Sequence, residues 1–211
     1  MVKKSVALFG LAILMAALPV TASAQNAKTI LGAVMKAMGA ENLNTIQYSA
    51  AGSSGNGESL LRIKSYKREL DFKTSSSRTE IVRVQNDMDQ AQSQTIHPTS
   101  AWDTQSDIWL SPHGFLKGAL ANNATAKQDT LFGEKYNVLS FNIQNNKVNG
   151  YIDSQNMVYK VETWVGNNDL VESIYRDYKD FGGVKFPTVI IQKHAGVNSL
   201  ILIVNDVKSG N

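Results

Sequence analysis

The stretch Tyr175-Arg-Asp-Tyr-Lys-Asp-Phe-Gly-Gly-Val-Lys-Phe-Pro187 decides the fold. Gly182 and Gly183 can take positive φ without a Cβ clash, so the pair suits a tight turn between two strands. Ile174, Tyr175 and Tyr178 precede the turn, and Val184, Phe186, Val189 and Ile191 follow it. The reading extends outward along the last third of the chain. Lys147 to Ile152, Met157 to Val165, Leu170 to Phe181, Val184 to His194 and Ser199 to Val207 read as successive antiparallel strands. Ser154-Gln155-Asn156 and Gly166-Asn167-Asn168 supply turn chemistry between them.

Upstream, Ala126 to Leu131 and Lys135 to Ile143 continue the pattern, with Asn145-Asn146 as the next turn. Leu43 to Ala51, Leu60 to Phe72 and Arg78 to Asn86 are further strands, the last two joined through Ser75-Ser76-Ser77. Leu61, Ile63 and Ser65 share one face while Arg62, Lys64 and Tyr66 share the other, the pattern of an antiparallel sheet with one wet face. Gly52 to Gly57, with three glycines in six residues, reads as a flexible loop. Asp87 to Ser100 is polar and lacks apolar periodicity, which predicts a long loop or ragged hairpin. Trp102 and Trp109 are expected to flank a short strand or turn.

A sheet of this length needs a cover for its apolar face, and two short segments have helical spacing. Asn26 to Met38 carries Ile30, Val34, Ala37 and Met38 on one side, with Asn26 as cap and Gly39 as left-handed stop. Ser111 to Asn122 opens with a capping serine and Pro112 at the first helical position. It directs Phe115, Leu116, Ala119 and Leu120 inward, although its two glycines weaken it. The fold class is therefore α+β.

Met1 to Ala24 has the form of a secretory signal: Lys3-Lys4, an apolar run from Val6 to Leu18, Pro19, then Ala22-Ser23-Ala24. The run is short for a bilayer span, so the expectation is a signal peptide over residues 1–24 and one domain over 25–211. That places the mature chain in the periplasm or outside the cell with no stable membrane anchor. The chain has no cysteine, which excludes a disulfide framework, a thiol nucleophile and a lipid-modified N-terminal cysteine. The net charge of +3 includes Lys3 and Lys4, and without them 19 basic residues face 18 acidic ones. A balance so near zero gives no basis for binding nucleic acid or anionic lipid headgroups. The local group Lys64, Lys67 and Arg68 is followed at once by Glu69 and Asp71 and reads as a solvated strand face.

Chemistry is equally sparse. His97, His113 and His194 are too far apart in sequence for a zinc pair. His113, beside a helix start, reads as a local capping residue, His97 lies in a polar loop, and His194 closes a strand. Glu162 with Glu172 or Asp177 could form an acid–base pair, but carboxylates at outward strand positions are usually solvated. There is no Gly-x-Ser-x-Gly, P-loop or dinucleotide fingerprint. No catalytic residue, metal or cofactor is implied.

Three strings carry a resemblance: Trp109-Leu-Ser-Pro-His-Gly-Phe-Leu-Lys117, Gly150-Tyr-Ile-Asp-Ser-Gln-Asn-Met-Val158 with Lys160-Val-Glu-Thr-Trp164, and Tyr178-Lys-Asp-Phe-Gly-Gly-Val-Lys-Phe-Pro-Thr188. With Met38-Gly-Ala-Glu-Asn-Leu-Asn-Thr-Ile-Gln-Tyr48 they resemble the N-terminal accessory region of exported metallo-β-lactamase-fold hydrolases. In those hydrolases a His-x-His-x-Asp-His zinc motif lies in the following domain, and this chain lacks it. The resemblance thus implies an accessory scaffold acting with a separate metallo-hydrolase partner. More distantly, a strand meander ending in Gly-Gly-Val-x-Phe-Pro resembles the periplasmic lipoprotein-carrier (LolA-like) superfamily. That likeness implies a curved antiparallel sheet forming an open half-barrel around short helices.

Within such a half-barrel, Trp102, Trp109, Phe115, Phe141, Tyr151, Tyr159 and Trp164 are the candidate lining of an apolar concave cleft. The alternative is plain core packing against the helices. A cleft of that kind would admit a lipid or another hydrophobic small molecule, each methylene removed from water contributing about 0.8 kcal/mol.

Overall fold

Eleven strands build one antiparallel sheet. The computed structural model describes residues 18–56 and 59–211, with side chains from residue 26 onward. The strands are β1 (Thr45–Gly55), β2 (Leu60–Asp71), β3 (Ser76–Gln85), β4 (Met88–Ile96), β5 (Thr125–Leu131), β6 (Glu134–Ile143), β7 (Asn146–Ile152), β8 (Val158–Val165), β9 (Asp169–Asp180), β10 (Lys185–His194) and β11 (Val197–Gly210). Their spatial order is β4-β3-β2-β1-β11-β10-β9-β8-β7-β6-β5. Every neighbouring pair is a hairpin except one: β1 lies against β11, with Thr45 opposite Gly210. Irregularities at Ser49/Ala50, Ala50/Gly52 and Ile63/Ser65 interrupt the β1 and β2 ladders, and such bulges bend a strand and increase its twist.

Turn chemistry explains the regularity. Asn86-Asp87, Phe132-Gly133, Gln144-Asn145 and Ala195-Gly196 each have positive φ at both positions. That is the type I′ geometry whose twist matches the flanking strands. Gly182 and Gly183, also at positive φ, sit in a four-residue β9–β10 loop closed by Phe181 N–H donating to the Val184 carbonyl at 2.9 Å.

Three helices, α1 (Leu18–Ala37), α2 (Trp102–Trp109) and α3 (Pro112–Ala121), supply the cover. α1 begins before Asn26, so that residue lies inside the helix and does not cap it. Residues 1–17, most of the predicted leader, lie outside the described residues. Gly39 stops α1 at φ +67, and the Met38 carbonyl accepts from the Lys185 amide at 3.1 Å, docking the helix end on the β9–β10 hairpin. Ser111 caps α3 as the sequence predicts, its Oγ accepting from the Gly114 amide at 3.1 Å. Leu120, expected inside, is 60% exposed.

Three segments differ from their sequence reading. Gly52 to Gly55 is strand, continuous with β1. The polar run after Asp87 is β4, held to β3 by backbone bonds and exposed along its length except at Ile96. An edge strand of this kind needs no apolar alternation, which is why its composition resembled a loop. Trp102 to Trp109 is helix because Gln105, Ser106 and Ile108 form a buried side and the helix leads directly into α3.

His113 locks α1, α3 and β10 together. It is fully buried, stacks on Phe186 at 5.7 Å, and its Nε2–H donates to the Met38 carbonyl at 3.4 Å. Burial lowers its pKa to about 4, with Lys117 adding to the effect and the Met38 bond opposing it. An unfolded imidazole titrates near 6.5, so the unfolded chain binds the extra proton between these values. The contribution is complete above about pH 6.5 and is lost as pH falls toward 4, about 3 kcal/mol in all. Urea unfolding of the wild type should lose that much more stability over this range than His113→Phe. Parallel pH profiles would contradict it.

Candidate functional site

Inward residues of adjacent strands fall into rows across the sheet. One row runs Ser54, Leu200, Gln192, Ser173, Val161, Gly150, Leu139, Ala126. Its character changes along its length. At the β5–β8 end it is apolar and closed by α3: Phe115 packs over Gly150, where an added methyl would stand 2.2 to 2.6 Å from three ring atoms, well inside van der Waals contact. At the β1–β4 and β9–β11 end the helices cover less, and a cleft opens.

The cleft has two lobes of about 510 and 550 Å³ that share Gln94, Asp107, Gln192 and Ser199. One lobe lies between α2, β4 and the Gly166-Asn167 turn, the other over β2 and β3 beside Tyr66 and Arg83. Amide and hydroxyl side chains of Gln92, Gln94, Gln192 and Ser199 form walls, while Ile81, Ile96, Leu110, Val171 and Leu200 supply apolar surface. Arg83 donates to Ser54 Oγ at 2.7 Å and also to Gln92. His194 meets Asp169 at 3.6 Å at the exposed rim.

Beneath the shared wall lies Arg68, 5% exposed. Its guanidinium pairs with the Asp107 carboxylate of α2 at 2.7 Å and donates to the Asp107 carbonyl at 3.3 Å. Burial works against the charge, but Asp107 with Tyr66 and Tyr48 together outweigh it, so the guanidinium's pKa is raised and it stays charged. The solvated reading of this arginine is therefore corrected: Tyr66, Arg68 and Leu70 alternate inward, and the bulge at Ile63/Ser65 sets that phase. A void of about 20 Å³ adjoins the pair, lined by Arg68, Asp107, Ser173, Tyr175 and Gln192 among others. Arg68 Nε and the Tyr175 hydroxyl are buried without a hydrogen-bond partner among the described residues. Burial also raises the Tyr175 phenol pKa, keeping its proton in place.

Besides the Arg68–Asp107 pair and its buried Ile108, α2 is held by Trp102 Nε1 donating to the Trp164 carbonyl at 2.9 Å, the Gly166 amide to Asp103 at 2.9 Å, and Gln192 to Asp107 at 3.3 Å.

The seven predicted aromatics are dispersed. Phe115 and Phe141 meet in the core at 5.4 Å. Trp102 and Trp109 pack partly against that core from α2. Tyr151 and Tyr159 meet through Tyr136, at 6.4 and 5.0 Å, and Trp164 is half-buried on β8. None lines the two-lobed cleft.

Glu162 and Glu172 do come together, directly opposite each other on β8 and β9, but around a lysine. Lys160 meets them at 2.6 and 3.0 Å. Burial opposes its charge and the two carboxylates outweigh that, raising its pKa. Asn149 and Tyr151 each donate to Glu162 at 3.0 Å, and burial with the Glu162 charge pushes the Tyr151 phenol up to about 12. The cluster ties β7, β8 and β9 together, with Glu162 bonded through both oxygens and Glu172 through one. Asp177 lies elsewhere, exposed on β9. His97 is exposed beyond β4. Among the described residues no three His, Cys, Asp or Glu side chains converge as metal ligands, and no helix is long and apolar enough to cross a membrane.

No family model and no curated protein matches this sequence. Solved structures do. A DUF1329 family protein from Desulfovibrio piger superposes with a TM-score of 0.57 at 9% identity, covering 87% of this chain and 92% of that one. A LolA superfamily protein from Nitrosomonas europaea gives a TM-score of 0.51 at 15% identity, covering 88% and 94%. Neither likeness speaks for the metallo-β-lactamase accessory region; at these identities they establish architecture alone, and that architecture is the LolA-like one, an open curved antiparallel sheet with short helices.

Proposed function

We propose that this chain is a non-catalytic, exported binding module of the carrier type, and that its ligand is a single-chain amphiphile. The observation that carries the reading is the division of the inner sheet surface. One half is sealed by α3, and the other is a cleft beside α2 with polar walls and apolar patches. A headgroup is suited to the amide and hydroxyl walls. An alkyl chain is suited to the apolar surface that Ile81, Ile96, Leu110, Val171 and Leu200 give the cleft. The signal-like sequence pattern of residues 1–24 supports export, and the LolA-like architecture is compatible with a carrier.

The test is displacement of the neutral dye N-phenyl-1-naphthylamine from the purified protein. Saturable uptake at micromolar dye is expected, reversed by C12 amphiphiles. About 0.8 kcal/mol per buried methylene predicts that lengthening a ligand from eight to twelve carbons strengthens binding by about two orders of magnitude. Dye fluorescence that rises without saturation would refute the reading.

A further inference from the structure

We infer that the pocket under the cleft, built from Arg68, Tyr175 and Ser173, is a receptor for the anionic headgroup of the amphiphile, and that Asp107 occupies it when no ligand is bound. This inference rests on the amphiphile reading above and specifies which headgroup the site selects.

Three observations meet at one point. Arg68 is 5% exposed and carries a full charge, yet Nε has no partner, so its donor set is only partly used. The Tyr175 hydroxyl, on the neighbouring face of the same void, lies near Ser173 but makes no hydrogen bond of normal geometry. Buried polar groups in native proteins are nearly always bonded, so two orphans beside one void mark a place where an oxygen belongs. A phenol O–H and a guanidinium N–H both donate, which makes that oxygen an acceptor. The void, about 20 Å³, fits a single oxygen atom with its van der Waals shell.

Asp107 shows what kind of group satisfies Arg68. Its carboxylate lies 2.7 Å from the guanidinium, and its side chain is 34% exposed against 5% for its partner. The acid is thus already at the water boundary of the cleft, whereas the arginine is enclosed. If Asp107 leaves, an uncompensated charge remains buried unless the group that replaces it is itself an anion. A neutral or cationic headgroup cannot make the exchange. A carboxylate or phosphate can, and its second oxygen reaches the Nε and Tyr175 donors that Asp107 leaves unused. Charge-assisted bonds of this type are the stronger class.

The experiment compares C12 chains that differ only in headgroup, by dye displacement and calorimetry on the purified chain. Laurate and dodecyl phosphate are expected to bind at least tenfold more tightly than dodecanol, and dodecyltrimethylammonium no better than dodecanol. Tyr175→Phe deletes one unpartnered hydroxyl and keeps the ring, so the variant folds, and it should remove most of the preference for laurate over dodecanol. Equal affinities for laurate and dodecanol, or a Tyr175→Phe variant that keeps the full preference, overturn the headgroup assignment while leaving the amphiphile reading standing. Absence of binding by every C12 probe overturns both. A preference for dodecyl phosphate over laurate supports the receptor and identifies its natural anion as a phosphate.

Discussion

Gly150→Val is expected to reduce stability by about 3 kcal/mol or more, the upper end for overpacking a core. β7 presents Gly150 to α3, and Phe115 lies over the bare backbone, so that even a methyl would clash with three of its ring atoms. The ring has no room to retreat, because Phe141 packs against it at 5.4 Å and both side chains are buried. Strand pairing on either side, with Leu139 and Val161, prevents β7 from moving away. The substitution should therefore lower the urea midpoint sharply, and Phe115→Leu, costly alone, should partly restore the double variant. A Gly150→Val protein as stable as the wild type would show that the ring and the strand are not in contact.

Asp107→Ala is the second large effect. It leaves Arg68 charged and buried, a change that costs about 3–5 kcal/mol for pairs in a dry interior. Water can enter through the gap left by a side chain that is one-third exposed, so the lower end, about 3 kcal/mol, is expected. Removing both charges together, as Arg68→Met with Asp107→Ala, should return stability to within about 1 kcal/mol of the wild type, since the desolvation term disappears with the arginine. Additive losses in the double variant would place the energy of this pair in shape and not in charge.

Much of the architecture was legible because hairpins announce themselves locally. Gly182-Gly183 marked one turn, and Ser111-Pro112 marked the start of α3. β4 and α2 were missed for opposite reasons. β4 buries almost nothing along its length, so no alternation was imposed on it. α2 is short, and its buried side includes Gln105 and Ser106, polar residues that hide a helical stripe. The site was harder to see. Residue type identified Trp102, Trp109 and the other aromatics as cleft candidates, but which member of an alternating pair faces inward depends on bulges such as those at Ile63/Ser65 and Tyr151/Ile152. A bulge shifts phase without a sequence signature of its own. For the same reason Arg68 resembled its solvated neighbours Lys64 and Lys67. Only the partner strands distinguish it, by setting it opposite Tyr48 and Thr79.

The pairing of β1 with β11 also governs how the molecule can assemble. The four N-terminal strands and the seven C-terminal ones can each zip up through short hairpins, but the seam between them joins the two extremes of the meander. A contact of such long range is slow to close. Until it does, two unsaturated backbone rims stay open to any passing polypeptide, which makes the interval before closure the period of greatest exposure to aggregation.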